Sequence, residues 1–163
     1  MKKTKIKLLV LGFFFFAFCA TATAPYKKNI EMKDVFFSSI AWIESSHNPK
    51  AKSKDGSIGI VQIKPVMVKE VNRICQLRGI DKRFTLADRQ SKSKSKQMFW
   101  IYQKFYNPTV DFERLSQKEM EILARKWNGG PKGHIKNATK KYWRKVEKRV
   151  NFELEYGYMS SLD

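Results

Sequence analysis

Residues 31–44 read Glu-Met-Lys-Asp-Val-Phe-Phe-Ser-Ser-Ile-Ala-Trp-Ile-Glu. Apolar side chains recur there with the i, i+3, i+4, i+7 spacing that places them on one face of an α-helix. This spacing predicts an amphipathic helix that packs against a core. The residues on that face are Phe36, Phe37, Ile40, Ala41 and Ile43.

The last residue of this segment, Glu44, lies on the apolar face, because it follows Ile40 by four residues and Ala41 by three. It also stands at the carboxyl end of the helix, where the helix dipole disfavours a negative charge. Desolvation and the dipole both raise the pKa of a carboxyl group. We therefore expect Glu44 to keep its proton near neutral pH and to act as a general acid. The alternative is that the helix ends one residue earlier and that Glu44 turns into solvent.

The segment after Glu44 predicts a loop and then a second helix. Residues 45–56 are rich in Ser, Lys, Asn and Pro, which is typical of a loop, and residues 57–64 predict a strand or extended chain. Pro65 fits the first turn of a helix that Gly79 would end.

Three further helices are predicted nearer the carboxyl end. One covers residues 85–106, with a capping signal in its first residues. The next begins at the capping box formed by Ser116 and Glu119, and the last covers residues 135–150. The chain is therefore predicted to be mostly α, a single domain with room for a short strand or hairpin.

Residues 1–22 have the three parts of a secretory signal peptide. A basic flank precedes an apolar core, which is shorter than the ~20 residues of a spanning helix, and small residues follow. We expect cleavage after Ala22 and an exported protein of the periplasm or cell envelope. The alternatives are a retained signal that anchors the chain in a membrane and a lipid anchor at Cys19. Residues 23–150 are predicted to form the domain and residues 151–163 a carboxyl-terminal tail.

The composition restricts the classes of partner. The 163 residues include 33 Lys and Arg against 15 Asp and Glu, a formal charge of +18 that falls to +14 when the four lysines of the signal peptide are removed. Such a charge attracts anionic partners. An exported nucleic-acid-binding protein is disfavoured, because the basic residues are dispersed and form no recognition motif. His47 and His134 lack metal-ligand spacing, so no metal or cofactor is expected, and Cys75 is expected to be buried.

Four short motifs follow one another in an order that is known from one enzyme family. They resemble the E-S-x-x-N-P, G-L-M-Q-x-x-P, Y-N-A-G-P and T-x-x-Y motifs of the soluble lytic transglycosylases, which are goose-lysozyme-like glycosidases. Val61 stands where methionine is usual, and Trp127 where tyrosine is common. The motifs are residues 43–51 (Ile-Glu-Ser-Ser-His-Asn-Pro-Lys-Ala), 59–65 (Gly-Ile-Val-Gln-Ile-Lys-Pro), 127–131 (Trp-Asn-Gly-Gly-Pro) and Ala138-Thr139 with Tyr142.

The resemblance implies a lysozyme-like fold and specific roles for residues of the site. It implies that Glu44 is the sole catalytic acid and base and that Tyr142, a substrate-binding residue, lies close to its carboxyl group. It also implies a sugar-binding cleft beside Glu44. The residues expected to line that cleft are Ser53, Gln62, Asn128 and, from its place beside the glycine-rich loop, Trp127; the other tryptophans are expected in the core.

The reaction that the resemblance implies is cleavage of the β-1,4 bond between N-acetylmuramic acid and N-acetylglucosamine in peptidoglycan, with a 1,6-anhydromuramyl product. If Asp55, the acid nearest to Glu44 in the loop, positions a water instead, the outcome is hydrolysis, as in a muramidase. A third hypothesis is a glycan-binding module of an envelope assembly that does not cleave. The partners expected are glycan strands and an envelope assembly, with no nucleic acid, and a membrane only if the signal is retained or lipidated.

Overall fold

The computed structural model describes residues 31–156, so the predicted signal peptide lies outside the described residues. Within that range the chain is mostly helical, which confirms the predicted fold class. Residues 57–64 form no named strand and contribute two isolated β-bridges, Lys52 with Ile58 and Ile58 with Ile63. The helices are α1 (Met32–Ser45), α2 (Pro65–Leu77), α3 (Lys92–Tyr106), α4 (Gln117–Gly129) and α5 (Lys140–Tyr156).

Helix α1 is the central helix of the described part of the chain. Its residues 35–41 are all buried, including Ser38 and Ser39, so neighbours surround it on every side. Helix α5 packs along it, and the ring of Phe37 meets Phe99 of α3 edge to face at 5.3 Å between centroids. Burial of an aromatic side chain of this size contributes about 2–3 kcal/mol. This packing fixes the direction of α1.

Helix α3 begins later than the sequence predicts. The amide of Thr85 does donate to Asp88, but this closes a single turn that continues only into the 3₁₀ helix Ala87–Gln90. The reason is Arg89, which is buried there and donates to backbone carbonyls of the loop before α2. Ser91 then caps α3 by accepting a hydrogen bond from the amide of Lys94 at 3.3 Å.

Helix α5 also differs from its predicted bounds. Residues 135–139 form 3₁₀ turns, and α5 runs through Tyr156, into the segment predicted as a tail. The extension follows from Glu153, which is fully buried and accepts a hydrogen bond from Arg149 one turn earlier. The capping box at Ser116 and the burial of Cys75 are confirmed.

Trp42 is not a core residue, contrary to the prediction. Its side chain is 40% exposed and the guanidinium of Arg149 lies over its ring, 4.1 Å from the centroid. No helix among residues 31–156 is both long enough and apolar enough to cross a membrane.

Candidate functional site

The candidate site is built around the end of α1. The helix continues to Ser45, so Glu44 remains on its inner face and is partly buried. The hydroxyl group of Tyr142, from the first turn of α5, donates a hydrogen bond to Oε1 of Glu44 at 2.7 Å. The alternative in which Glu44 turns into solvent is therefore wrong.

The turn after Glu44 ties α1 to the following loop. The hydroxyl group of Ser45 donates to the carbonyl oxygen of Ile60 at 2.8 Å. Ser46 and His47 both have left-handed backbone conformations, and their amides donate to the last turn of α1, which ends the helix. The loop is thus held against the helix end that carries Glu44.

A close backbone contact fixes the shape of the loop at Gly59. A β-carbon at this position would lie 1.8 Å from the carbonyl oxygen of Arg89, and the φ angle of Gly59 is +89°. Only glycine accommodates both conditions. The guanidinium of Arg89 also donates to the carbonyl oxygens of Gly56 and Ile63 at 3.0 and 3.2 Å, so one buried arginine holds both ends of the loop segment.

A cavity of about 300 Å³ opens beside Glu44, between this loop, the start of α2 and the end of α4. Its lining combines apolar side chains with amide, hydroxyl, carboxyl and ammonium groups, a mixture that suits a sugar ring with polar substituents. The lining residues are Glu44, Asp55, Ser57, Gln62, Ile63, Lys64, Val66, Met67, Trp127, Asn128 and Gly130.

The environment of Glu44 favours its protonated form. Burial raises the pKa of Glu44 from 4.5 to about 7, the hydrogen bond from Tyr142 opposes this rise, and the negative charge of Asp55 adds to it. Burial and the neighbouring Glu44 in turn raise the pKa of Tyr142, so its hydroxyl remains a donor. At neutral pH a substantial fraction of Glu44 therefore carries a proton.

The environment of Asp55, which lines the same cavity, favours the ionised form. Its exposed carboxylate lies 2.9 Å from Nζ of Lys64 and accepts a hydrogen bond from the amide of Ser57. These interactions lower the pKa of Asp55 to about 2. The cavity thus holds one carboxyl group with a raised pKa and one with a lowered pKa. Residues 31–156 contain no group of three or more His, Cys, Asp and Glu side chains that could hold a metal ion.

The structure brings together most of the residues that the sequence predicts for the site. Gln62, Trp127 and Asn128 line the cavity with Glu44, and Tyr142 touches the carboxyl group. Ser53 is not among the lining residues. Its exposed hydroxyl group donates to Oε1 of Gln62 at 2.5 Å, so it contacts a residue that lines the cavity.

Sequence reasoning missed two residues that shape the site. Lys64 lines the cavity, and its place two residues after Gln62 is the signal that could have indicated it. Arg89 lies far along the chain from the loop it holds, and no sequence pattern marks it. A larger cavity of about 650 Å³ lies between α2 and α3, but it shares no lining residue with the cavity at Glu44.

Comparison with known proteins gives one match. The family model described as Transglycosylase SLT domain matches residues 22–150, a range that includes every residue of the site described above. No curated protein and no solved structure matches the chain. Because the family match covers well over half of the sequence, the chain belongs to the Transglycosylase SLT domain family.

Proposed function

We propose that the protein is an exported lytic transglycosylase that cleaves the β-1,4 bond between N-acetylmuramic acid and N-acetylglucosamine in peptidoglycan. Family membership supports action on peptidoglycan. The observation that carries the more specific proposal is the partly buried carboxyl group of Glu44, with a pKa of about 7, on a cavity of about 300 Å³. A general acid works best when its pKa lies near the working pH.

In the first step Glu44 acts as the acid. Tyr142 donates to Oε1, which leaves Oε2 to carry the proton. This proton passes to the glycosidic oxygen as the bond from that oxygen to C1 of the muramyl residue breaks. The acetamido group of the same sugar stabilises the positive charge that develops at C1, so no second carboxyl group is needed.

In the second step Glu44 acts as the base. The carboxylate takes the proton from the C6 hydroxyl group of the muramyl residue, and the C6 oxygen forms a bond to C1. The product is a 1,6-anhydromuramyl end, no water is consumed, and Glu44 regains its proton. Gln62, Asn128 and the ring of Trp127 line the cavity in which the sugar would be held.

The second candidate is hydrolysis. Asp55 lines the same cavity as Glu44 and is ionised, with a pKa of about 2, so it is a candidate to hold a water against C1. The lytic route is preferred because the matching family model is a transglycosylase domain and because this route needs no acid besides Glu44.

Digestion of purified peptidoglycan followed by mass spectrometry tests the proposal. Wild type is expected to release muropeptides with 1,6-anhydro ends, each lighter by one water than the hydrolytic product, and Glu44→Gln is expected to release them about 10³-fold more slowly. Gln has nearly the same shape as Glu and can still accept the hydrogen bond from Tyr142, so the variant should fold. Lys54→Met, in the loop but away from the cavity lining, is the matched control and should behave as wild type.

Each other outcome has a definite meaning. Reducing ends in place of anhydro ends from wild type favour the hydrolytic candidate. Glycan binding by both forms without any cleavage leaves a binding module. Equal cleavage by wild type and Glu44→Gln would overturn the role proposed for Glu44.

A further inference from the structure

An ion pair on the wall of the cavity has no role in the reaction described above. Nζ of Lys64 lies 2.9 Å from Oδ2 of Asp55, and both side chains are 53% exposed. Both residues line the cavity that contains Glu44. Among the described lining residues, Lys64 is the one cation; the other groups are the carboxyl groups of Glu44 and Asp55, neutral amides, a hydroxyl and apolar surface.

This pair can exchange partners at low cost. An exposed ion pair contributes at most about 1 kcal/mol to stability, because water and salt screen it. Asp55 also accepts a hydrogen bond from the amide of Ser57 at 3.1 Å, which keeps its carboxylate on the loop when Lys64 leaves. A second carboxylate that enters the cavity can therefore take Lys64 without unfolding the loop.

The substrate of the proposed function supplies such a carboxylate. The muramyl residue carries a lactyl group, which ends either in a carboxylate or in a peptide that bears carboxylates. An oligomer of N-acetylglucosamine alone has no charge. A charge-assisted hydrogen bond is about twice as strong as a neutral one. A cation on the wall of the cavity would therefore bind a strand with muramyl carboxylates more tightly than an uncharged N-acetylglucosamine oligomer.

We propose that Lys64 recognises a carboxylate on the muramyl side of the glycan strand, and that Asp55 holds Lys64 in place until that carboxylate arrives. This inference rests on the proposed function and names the feature of the substrate that the site selects. It has a consequence for catalysis: once Lys64 turns to the substrate, the charge of Asp55 is less neutralised, and this charge favours the protonated form of Glu44.

Calorimetric binding in the Glu44→Gln background tests the proposal without turnover. The two probes are a tetrasaccharide of alternating N-acetylglucosamine and N-acetylmuramyl peptide and the neutral N-acetylglucosamine tetramer. Lys64→Met should weaken binding of the muramyl probe about tenfold and leave binding of the neutral probe unchanged. The control Lys54→Met makes the same change of charge in the same loop, off the cavity lining, and should affect neither probe.

Asp55→Asn separates recognition from a purely structural ion pair. Because this substitution removes the competitor for Lys64, it should tighten binding of the muramyl probe several-fold, whereas Lys64→Met weakens it. If the ion pair between Lys64 and Asp55 only stabilises the loop, both substitutions should weaken binding of both probes to the same extent. That result would overturn the proposal.

The remaining outcomes separate this inference from the function it rests on. If the Glu44→Gln protein binds both probes and Lys64→Met has no effect beyond that of Lys54→Met, the inference is wrong and the proposed function stands. If the protein binds neither probe and wild type does not cleave peptidoglycan, the proposed function fails and the inference fails with it.

Discussion

Two glutamates bridge the same pair of helices, α1 and α5, and they differ in what each can do. Glu44 of α1 accepts a hydrogen bond from Tyr142 of α5 at 2.7 Å. Glu153 of α5 accepts one from Ser38 of α1 at 3.1 Å. Burial raises the pKa of both carboxyl groups.

The difference lies in access and in the partner. Glu153 is fully buried and also accepts a hydrogen bond from Nε of Arg149 at 2.9 Å, so a cation compensates its charge in the core. Glu44 has a neutral phenol as its partner and lines an open cavity. A perturbed carboxyl group is therefore a candidate acid only where a substrate can reach it, and burial alone does not mark one.

The largest expected effect separates the two glutamates by activity. Glu44→Gln should lower the rate of peptidoglycan cleavage about 10³-fold, because general acid catalysis contributes effects of this size. Glu153→Gln should retain the wild-type rate, since Gln can accept from both Ser38 and Arg149. Turbidity loss of a cell-wall suspension measures both rates. If both variants cleave at similarly reduced rates, the distinction drawn between Glu44 and Glu153 is wrong.

The second prediction concerns the free energy of unfolding. Substitution of Glu153 should lower it, whereas substitution of Glu44 should raise it above pH 7. Glu153→Ala leaves the largely buried Arg149 without its carboxylate and should lower the free energy of unfolding by about 3 kcal/mol. Glu44 has a folded pKa of about 7 against an ordinary 4.5, so the folded state binds more protons between these values and loses stability as pH rises through this window.

Glu44→Gln cannot ionise and escapes this loss. At pH 8 it should be more stable than wild type by about 3 kcal/mol, and most of this difference should disappear at pH 4. Urea unfolding at the two pH values measures the effect. A Glu44→Gln protein that is less stable than wild type at pH 8 would show that the carboxylate is well solvated in the folded state.

The third prediction is a shift of the pH profile. Tyr142→Phe removes a hydrogen bond that favours the ionised form of Glu44, so the pKa of Glu44 should rise and the alkaline limb of the activity profile should move to higher pH. Ser38→Ala removes the corresponding hydrogen bond at Glu153 and should leave the limb in place. Initial rates between pH 5 and about 9 measure the limb. A shift to lower pH in Tyr142→Phe would contradict the assigned role of the phenol.

The smallest effect is expected from Asp55→Asn on the same limb. The negative charge of Asp55 raises the pKa of Glu44, so its removal should move the limb to lower pH, opposite to Tyr142→Phe. High salt should reduce this shift, because Asp55 is exposed. A shift of equal size at low and high salt would indicate a structural change in place of an electrostatic one.

The local signals in the sequence were enough to find Glu44 and the main helices. Helical periodicity placed Glu44 on the apolar face, Pro65 marked the start of α2, and the capping box at Ser116 marked the start of α4. Each of these signals depends on residues within one or two turns of the chain. They can therefore be recognised in the sequence without knowledge of the fold.

What the sequence could not predict depends on contacts between distant segments. The late start of α3 and the shape of the loop both follow from the buried Arg89, which reaches Gly56 across 33 positions of sequence. The extension of α5 into the predicted tail follows from Glu153, which accepts hydrogen bonds from Arg149 and, across 115 positions of sequence, from Ser38. Ser53 was expected to line the cleft, and the turn of the loop directs its hydroxyl group to Gln62.

The most direct test of the role proposed for Glu44 is the titration of its carboxyl group. Carbon NMR of protein labelled at the glutamate side-chain carboxyl, with Glu44→Gln used to assign the signal, measures its midpoint. Burial of Glu44 predicts a midpoint near pH 7, well above the ordinary value of 4.5. A midpoint near 4.5 would contradict it, because Glu44 would then be ionised at neutral pH with no proton to give to a glycosidic oxygen.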